Sequence, residues 1–244
     1  IFSFFVIGNR KEFIIFPNEK NINTESKFDI YNEIIMKLSI IIPCYNEKDT
    51  INEVINKINK INIKKQVILV DDCSTDGTIE IIKKNIQNID KVIFHKKNLG
   101  KGGAIKSSKK YITGDYVVIQ DADLEYDPED IVYMFDYIRK NNLKVLYGSR
   151  VLGRNRYKEN NSFTSLFRIF ANHILTIFSN FINKQKLTDA HTCYKMFTRE
   201  LFDKVELIEN DFAFCPEITT KVSKLNININ EIRISYKGRS YSEG

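Results

Sequence analysis

Asp121-Ala122-Asp123, with Glu125 close behind, is the stretch of this sequence whose residue types are best suited to chemistry. Two carboxylates one residue apart are hard oxygen ligands, suited to Mg²⁺ or Mn²⁺ bridging a diphosphate. Solvated acids in a turn would show the same pattern, so the neighbouring residues must decide. Upstream, Gly114-Asp115 precedes the apolar run Val117-Val118-Ile119, which reads as a buried strand that stops at the acids. Downstream, Pro128-Glu129-Asp130 opens a helix, since proline suits the first turn and acids suit its N-terminus. Asp121 and Asp123 therefore sit just beyond the carboxyl end of a central strand, where open α/β sheets bind ligands.

The elements that must position them repeat this arrangement. A strand over 38–42 ends at Pro43-Cys44-Tyr45-Asn46-Glu47, and Asp49 or Thr50 caps a helix with Ile51, Val54, Ile55, Ile58 and Ile61 at helical spacing. A second strand, 66–70, ends at Asp71-Asp72, and Cys73 to Thr78 turns into a helix through Ile79, Ile82 and Ile86. A third, short strand covers 92–94. Asn98-Leu99-Gly100-Lys101-Gly102-Gly103-Ala104 then leads into a helix reaching Tyr111. Backbone amides at such a start face phosphates in some folds. Its spacing matches neither the P-loop nor GxGxxG, so a close-packed turn accounts for the glycines equally well. A helix over 128–140 and a fifth strand, 145–147, lead to Gly148-Ser149-Arg150. Strand and helix in alternation, with short connections, predict a mostly parallel, doubly wound sheet with right-handed crossovers. Glu47, Asp72, Asp121, Asp123 and Arg150 then fall on one rim.

The second half changes character. Residues 162–182 are helical in period and rich in phenylalanine, with Arg168 as the only full charge. Such a helix packs on the sheet or lies in a membrane interface, apolar face down. Thr188 to Phe197 reads as a loop into a strand, 217–225 as a helix, and 227–236 as a final strand.

Composition limits the partners. The chain has 244 residues, 43% hydrophobic and 28% charged, which suits one α/β domain over 37–244. Its net charge of +6 suits an anionic ligand or a lipid surface. No basic arm, zinc spacing or aromatic RNA-binding signature accompanies that charge, which argues against a nucleic-acid partner. Cys44, Cys73, Cys193 and Cys215 form no CxxC pair and read as free thiols in a reducing compartment. No run of about 18 apolar residues is present, so no span of a bilayer is expected. Residues 1–36 stay unassigned, with Met36 as an alternative start; the sequence stops in a loop after Arg239, which reads as a truncated C-terminus.

Taken in order, Pro43-Cys44-Tyr45-Asn46-Glu47, Val70-Asp71-Asp72, Asp76-Gly77-Thr78, Asn98-Leu99-Gly100-Lys101-Gly102, Gly114-Asp115, Asp121-Ala122-Asp123-Leu124-Glu125 and Gly148-Ser149-Arg150 resemble the family 2 glycosyltransferases. The branch they are most similar to is the polyprenyl- or dolichyl-phosphate mannose and glucose synthases. The resemblance implies a GT-A fold, a nucleotide-sugar donor such as UDP-glucose or GDP-mannose, and Mg²⁺ or Mn²⁺. It assigns Pro43, Tyr45, Glu47, Val70 and Asp72 to the base and ribose, with Lys101 and Arg239 also at the donor. Asp121, Ala122 and Asp123 would hold metal and diphosphate, Glu125 would complete the metal shell, and Arg150 would stand at the reaction centre. Cys73 replaces a more usual Gly or Asp, while Ala190-His191 and Cys215 replace acids.

The expected reaction is inverting hexose transfer to a polyprenyl phosphate, by a protein peripheral to the cytoplasmic face of a membrane. Such an acceptor is already anionic near pH 7 and needs no base. Asp123 and Arg150 would then carry the catalysis, Arg150 and Arg168 would bind the acceptor phosphate, and the 162–182 helix would meet the lipid. A sugar hydroxyl acceptor would instead require deprotonation, with Asp189 as the base. A non-catalytic nucleotide-sugar-binding protein or a nucleotidyltransferase is the more distant alternative.

Overall fold

The computed structural model describes residues 36–153 and 163–239; within 163–168 only the side chain at 167 is described. β1 (Leu38–Cys44) is buried along its whole length, and β2 (Lys65–Asp71) from its second residue on. Strands covered on both faces are apolar at successive positions, which is why these runs do not alternate. Between them α1 (Ile51–Lys60) turns Ile51, Val54, Ile55 and Ile58 inward. α2 (Thr78–Lys84) leads to β3 (Lys91–Phe94), and α3 (Gly100–Ser108) leads to β4 (Tyr116–Ile119). α4 (Glu129–Lys140) buries Ile131, Met134, Phe135 and Ile138 and precedes β5 (Val145–Ser149).

The remaining elements are α5 (Phe163–Asn183), β6 (Lys195–Thr198), α6 (Arg199–Lys204), α7 (Phe214–Lys224) and β7 (Asn230–Arg233). Every strand joins one sheet in the order β3-β2-β1-β4-β6-β5-β7. β1 pairs in parallel with β2 and β4, β2 with β3, and β5 with β7. β6 runs antiparallel to both neighbours, with Met196 opposite Val118 of β4 and Leu146 of β5. The sheet is thus mostly parallel, as expected, with β6 as its antiparallel member. A short apolar run records that a strand is buried, not which way it points. The final strand is also shorter than expected, because the ladder stops at Arg233; beyond it Ile234 N still donates to Ser149 O at 3.1 Å, and a Tyr126–Tyr236 bridge follows.

α5 is amphipathic in the inverse sense. Ile169, Thr176 and Ser179 are buried, while Phe167, Phe170, Ile177, Phe178 and Ile182 are exposed and Phe181 is 85% exposed. Its polar side chains tie it inward. Thr176 Oγ1 accepts the Ala190 amide at 3.3 Å, and Asn180 exchanges hydrogen bonds of 2.7 and 2.8 Å with the Leu187 backbone. Just past its end, Gln185 donates to Ser223 Oγ of α7 at 3.1 Å. Among the described residues no helix is long and apolar enough to cross a membrane.

Candidate active site

The carboxyl ends of β1, β2 and β4 open onto a cavity of about 430 Å³. Its walls bring together Pro43, Tyr45, Glu47, Asp72, Lys101, Asp121, Ala122, Asp123 and Arg239, nine of the residues picked from sequence. Thr50, placed at the α1 N-terminus, does not cap that helix with its side chain. Its hydroxyl lies 2.7 Å from both Glu47 Oε2 and the Ala122 carbonyl oxygen, sharing its one proton between them, and so joins the β1 loop to the aspartate loop.

In that loop Leu124 has φ of 62°, a left-handed conformation that costs a branched side chain roughly 1–2 kcal/mol. Backbone strain of this kind gathers where a loop is held for function. Asp123 Oδ1 accepts the Glu125 amide at 3.1 Å, and Oδ2 lies 3.6 Å from the Arg239 guanidinium. Burial, and then the neighbouring Asp121 charge, push the Asp123 carboxyl up to about 6. Asp121 forms an ion pair with Lys101, whose Nζ also lies 3.4 Å from Cys193 Sγ. Burial works against the Lys101 ammonium, but the Asp121 charge and hydrogen bond together with the neighbouring Cys193 and Cys215 outweigh it and hold the group well above the ordinary lysine value.

A carboxylate such as Asp123, whose charge is destabilised by burial and by a neighbouring acid, favours a bound cation. Among the described residues no set of three His, Cys, Asp or Glu side chains forms a metal cluster. Two carboxylates alone are a partial set, of the kind that Mg²⁺ commonly takes together with phosphate oxygens. Glu125, expected as a third ligand, is not brought to the pair. Its Oε2 accepts the Tyr236 hydroxyl and its Oε1 the Arg239 amide, both at 2.7 Å, so it fastens the C-terminal segment. That segment in turn forks the Arg239 guanidinium onto Glu47 at 2.7 and 3.1 Å.

Asp72 is tied up in the same way. It accepts Leu99 N at 2.8 Å, Gly100 N at 2.7 Å and His95 Nδ1 at 2.6 Å, while His95 Nε2 reaches Ser107 Oγ at 2.8 Å. These contacts decide the role of the glycine-rich turn. The Gly103 amide is also taken, by Asn210 O at 2.9 Å, and Cβ atoms at Gly100 and Gly102 would run into the backbone carbonyls of Asn210 and Glu209. Close packing of the 209–211 loop accounts for those glycines.

Val70, Arg150 and Asp189 do not line the cavity. Val70 is buried within β2. Asp189 grips Arg150 Nε at 2.6 Å and Nη2 at 2.8 Å, and also accepts the Arg150 amide at 3.1 Å. The Arg150 guanidinium lies 5.2 Å over the Tyr236 ring. Burial raises the Asp189 carboxyl, but the hydrogen bonds and charge of Arg150 outweigh it and hold the group below the ordinary aspartate value. Lys195, fully buried, anchors the turn that precedes it by donating to the Ala190 and Thr192 carbonyls at 3.0 and 2.5 Å. The side chain of Arg168 lies outside the described residues.

Sequence reasoning missed three contributors: Thr50 as a bridge, His95 as the partner of Asp72, and Phe212, which lines the cavity while 76% exposed. A threonine three residues after Glu47 carried a visible signal. His95 and Phe212 carried none, since only the fold brings them there.

A mostly parallel sheet with paired aspartates at the end of a central strand is the arrangement of the GT-A fold. Residues 39–206 match the description "Glycosyl transferase family 2", and the chain belongs to that family. It is 25% identical over 237 residues to the low-salt glycan biosynthesis hexosyltransferase Agl6 of Haloferax volcanii, covering 91% of this chain and 56% of that protein. It is 30% identical over 219 residues to the dolichyl-phosphate beta-glucosyltransferase of Dictyostelium discoideum, covering 82% and 66%. The chain therefore spans less than two thirds of the length of these relatives. The glucosyl-3-phosphoglycerate synthase of Mycobacterium tuberculosis, solved with Mn²⁺, UDP and glucosyl-3-phosphoglycerate, shares the fold with a TM-score of 0.66 and 16% identity, over 93% of this chain and 81% of that one.

Proposed function

We propose that this chain transfers a hexose from a nucleotide-sugar, UDP-glucose or GDP-mannose, to a polyprenyl phosphate, with inversion, at the cytoplasmic face of a membrane. The observation that carries the acceptor is α5. A helix that buries Thr176 and Ser179 while exposing Phe167, Phe170, Phe178 and Phe181 suits a lipid surface on its outer side. Its inner side touches Ala190, next to the Asp189–Arg150 pair. The Dictyostelium relative, named for transfer to dolichyl phosphate, points to the same acceptor class.

Asp121 and Asp123 would hold Mg²⁺ or Mn²⁺, which supplies charge neutralisation for the diphosphate when bound. Lys101 and Arg239 add positive charge on the same side. Asp189 keeps Nε and Nη2 of Arg150 in place, and the fixed guanidinium fork leaves the Nη1 donors for the acceptor phosphate. An acceptor phosphate oxygen attacks the anomeric carbon as the bond to the nucleoside diphosphate breaks and its electron pair leaves with the diphosphate. No proton has to be removed, because the phosphate is already ionised. A hydroxyl acceptor finds no ready base at Asp189, since Arg150 occupies both carboxylate oxygens.

The test is transfer from UDP-glucose, GDP-mannose and UDP-GlcNAc, with Mg²⁺ or Mn²⁺, with and without polyprenyl phosphate. Product that requires the lipid phosphate and disappears in Asp123→Ala is expected. Transfer to a free sugar with no lipid dependence would overturn the acceptor.

A further inference from the structure

Each aspartate of the pair has a protein cation beside it. Lys101 is ion-paired with Asp121, and Arg239, forked on Glu47, stands 3.6 Å from Asp123. We propose that Lys101 is a resident counter-ion that competes with free divalent metal for Asp121 and passes to the donor diphosphate when metal and nucleotide bind together. The inference rests on assigning this cavity to a nucleotide-sugar and its metal.

A metal ion arriving alone has to displace the Lys101 ammonium, whose side chain is only 13% exposed. Displaced, the ammonium keeps, among the described residues, the Cys193 thiol at 3.4 Å, a weak acceptor, and the Phe212 ring at 6.0 Å, and a buried cation so poorly partnered is costly. A diphosphate arriving with the metal removes that cost, because its oxygens accept the ammonium that the metal has released. Metal and nucleotide then strengthen each other's binding by the same factor, as thermodynamic linkage requires. The exchange needs only a side-chain movement. The backbone around Lys101 is pinned by Gly100 N on Asp72 and Gly103 N on Asn210, whereas a lysine stem is long and flexible. Arg239 is less free to exchange, since both ends of its guanidinium are held by Glu47.

The test is Mn²⁺ binding, followed by electron paramagnetic resonance on the full chain, alone and with UDP or GDP, for wild type, Lys101→Met and Lys101→Gln. Wild type is expected to bind Mn²⁺ weakly alone and about fivefold or more tightly with a nucleoside diphosphate, the lower end of typical coupling. Both variants are expected to bind Mn²⁺ alone about fivefold or more tightly than wild type, with the gain from nucleotide reduced. The glutamine variant keeps a polar head beside Cys193 and gives the same reading if the methionine variant fails to fold. Unchanged or weaker Mn²⁺ affinity in the folded variants, or an undiminished gain from nucleotide, would overturn the exchange and leave the donor site standing. Failure of wild type to bind either nucleoside diphosphate with Mn²⁺ would instead overturn the donor site, and the exchange with it.

Discussion

At the scale of single residues, the Arg150–Asp189 pair has the clearest consequences. Both groups are nearly inaccessible, at 8% and 3% exposure, so removing one charge strands the other. Asp189→Asn should lower stability by about 3–5 kcal/mol in urea unfolding at pH 7, the usual cost of breaking a buried pair. The pH dependence follows from the direction of the shift. A carboxylate held below its ordinary value contributes stability above its unfolded pKa of about 4 and loses it as pH falls through the folded value. The gap between wild type and variant should therefore stay constant from about pH 8 to 5 and narrow below about 4. A gap that narrows near pH 6 would show that another group carries the effect. Cys73 makes a second case. It occupies a left-handed conformation with φ of 69°, which explains why the resemblance has Gly or Asp there. Asn tolerates that region, so Cys73→Asn should raise stability by roughly 0.5–1 kcal/mol in the same assay.

At the scale of elements, α3 and the 209–211 loop act as one body. Gly102→Ala places a methyl group against the Glu209 carbonyl, and overpacking of this kind costs about 1–3 kcal/mol. Phe212 follows that loop directly and lines the cavity, so the variant should weaken donor binding as well, measured by calorimetry with UDP or GDP. The outer face of α5 makes the opposite prediction, with no loss of fold. Phe167→Ser with Phe170→Ser should abolish liposome flotation and leave donor affinity unchanged, since neither ring lines the cavity. Helix positions were readable because spacing alone decides them: Ile51, Val54, Ile55 and Ile58 are all buried as read. Direction was not readable. Nothing in Lys195-Met196-Phe197-Thr198 records that β6 runs against its neighbours. The same limit separates the acids. Their placement at strand ends was legible, but whether a carboxylate faces the cavity or the chain's own amides depends on loop geometry. Asp121 and Asp123 line the cavity, whereas Glu125 is spent on the C-terminal segment and Asp72, though on the cavity wall, holds the Leu99 and Gly100 amides.

At the scale of the whole molecule, a net charge of +6 and an apolar helix face would act together on a lipid surface. Charge attraction is screened over about 10 Å at 0.1 M salt and about 3 Å at 1 M, while apolar burial is not. Binding to anionic vesicles should exceed binding to zwitterionic ones and fall toward the zwitterionic level as salt rises. A flat salt response would remove the charge contribution.

The placement of β6 also bears on how the protein is made. β4 pairs with β1 on one side and with β6 on the other, yet β6 is synthesised only after α4, β5 and α5. A nascent chain emerging at about 5–20 residues per second therefore holds the outer edge of β4 open for on the order of several seconds. Unpaired apolar edges recruit other chains, which makes Val117-Val118-Ile119 the exposed pairing edge of the growing chain until β6 arrives. Products cut short before Lys195 would be the first to aggregate.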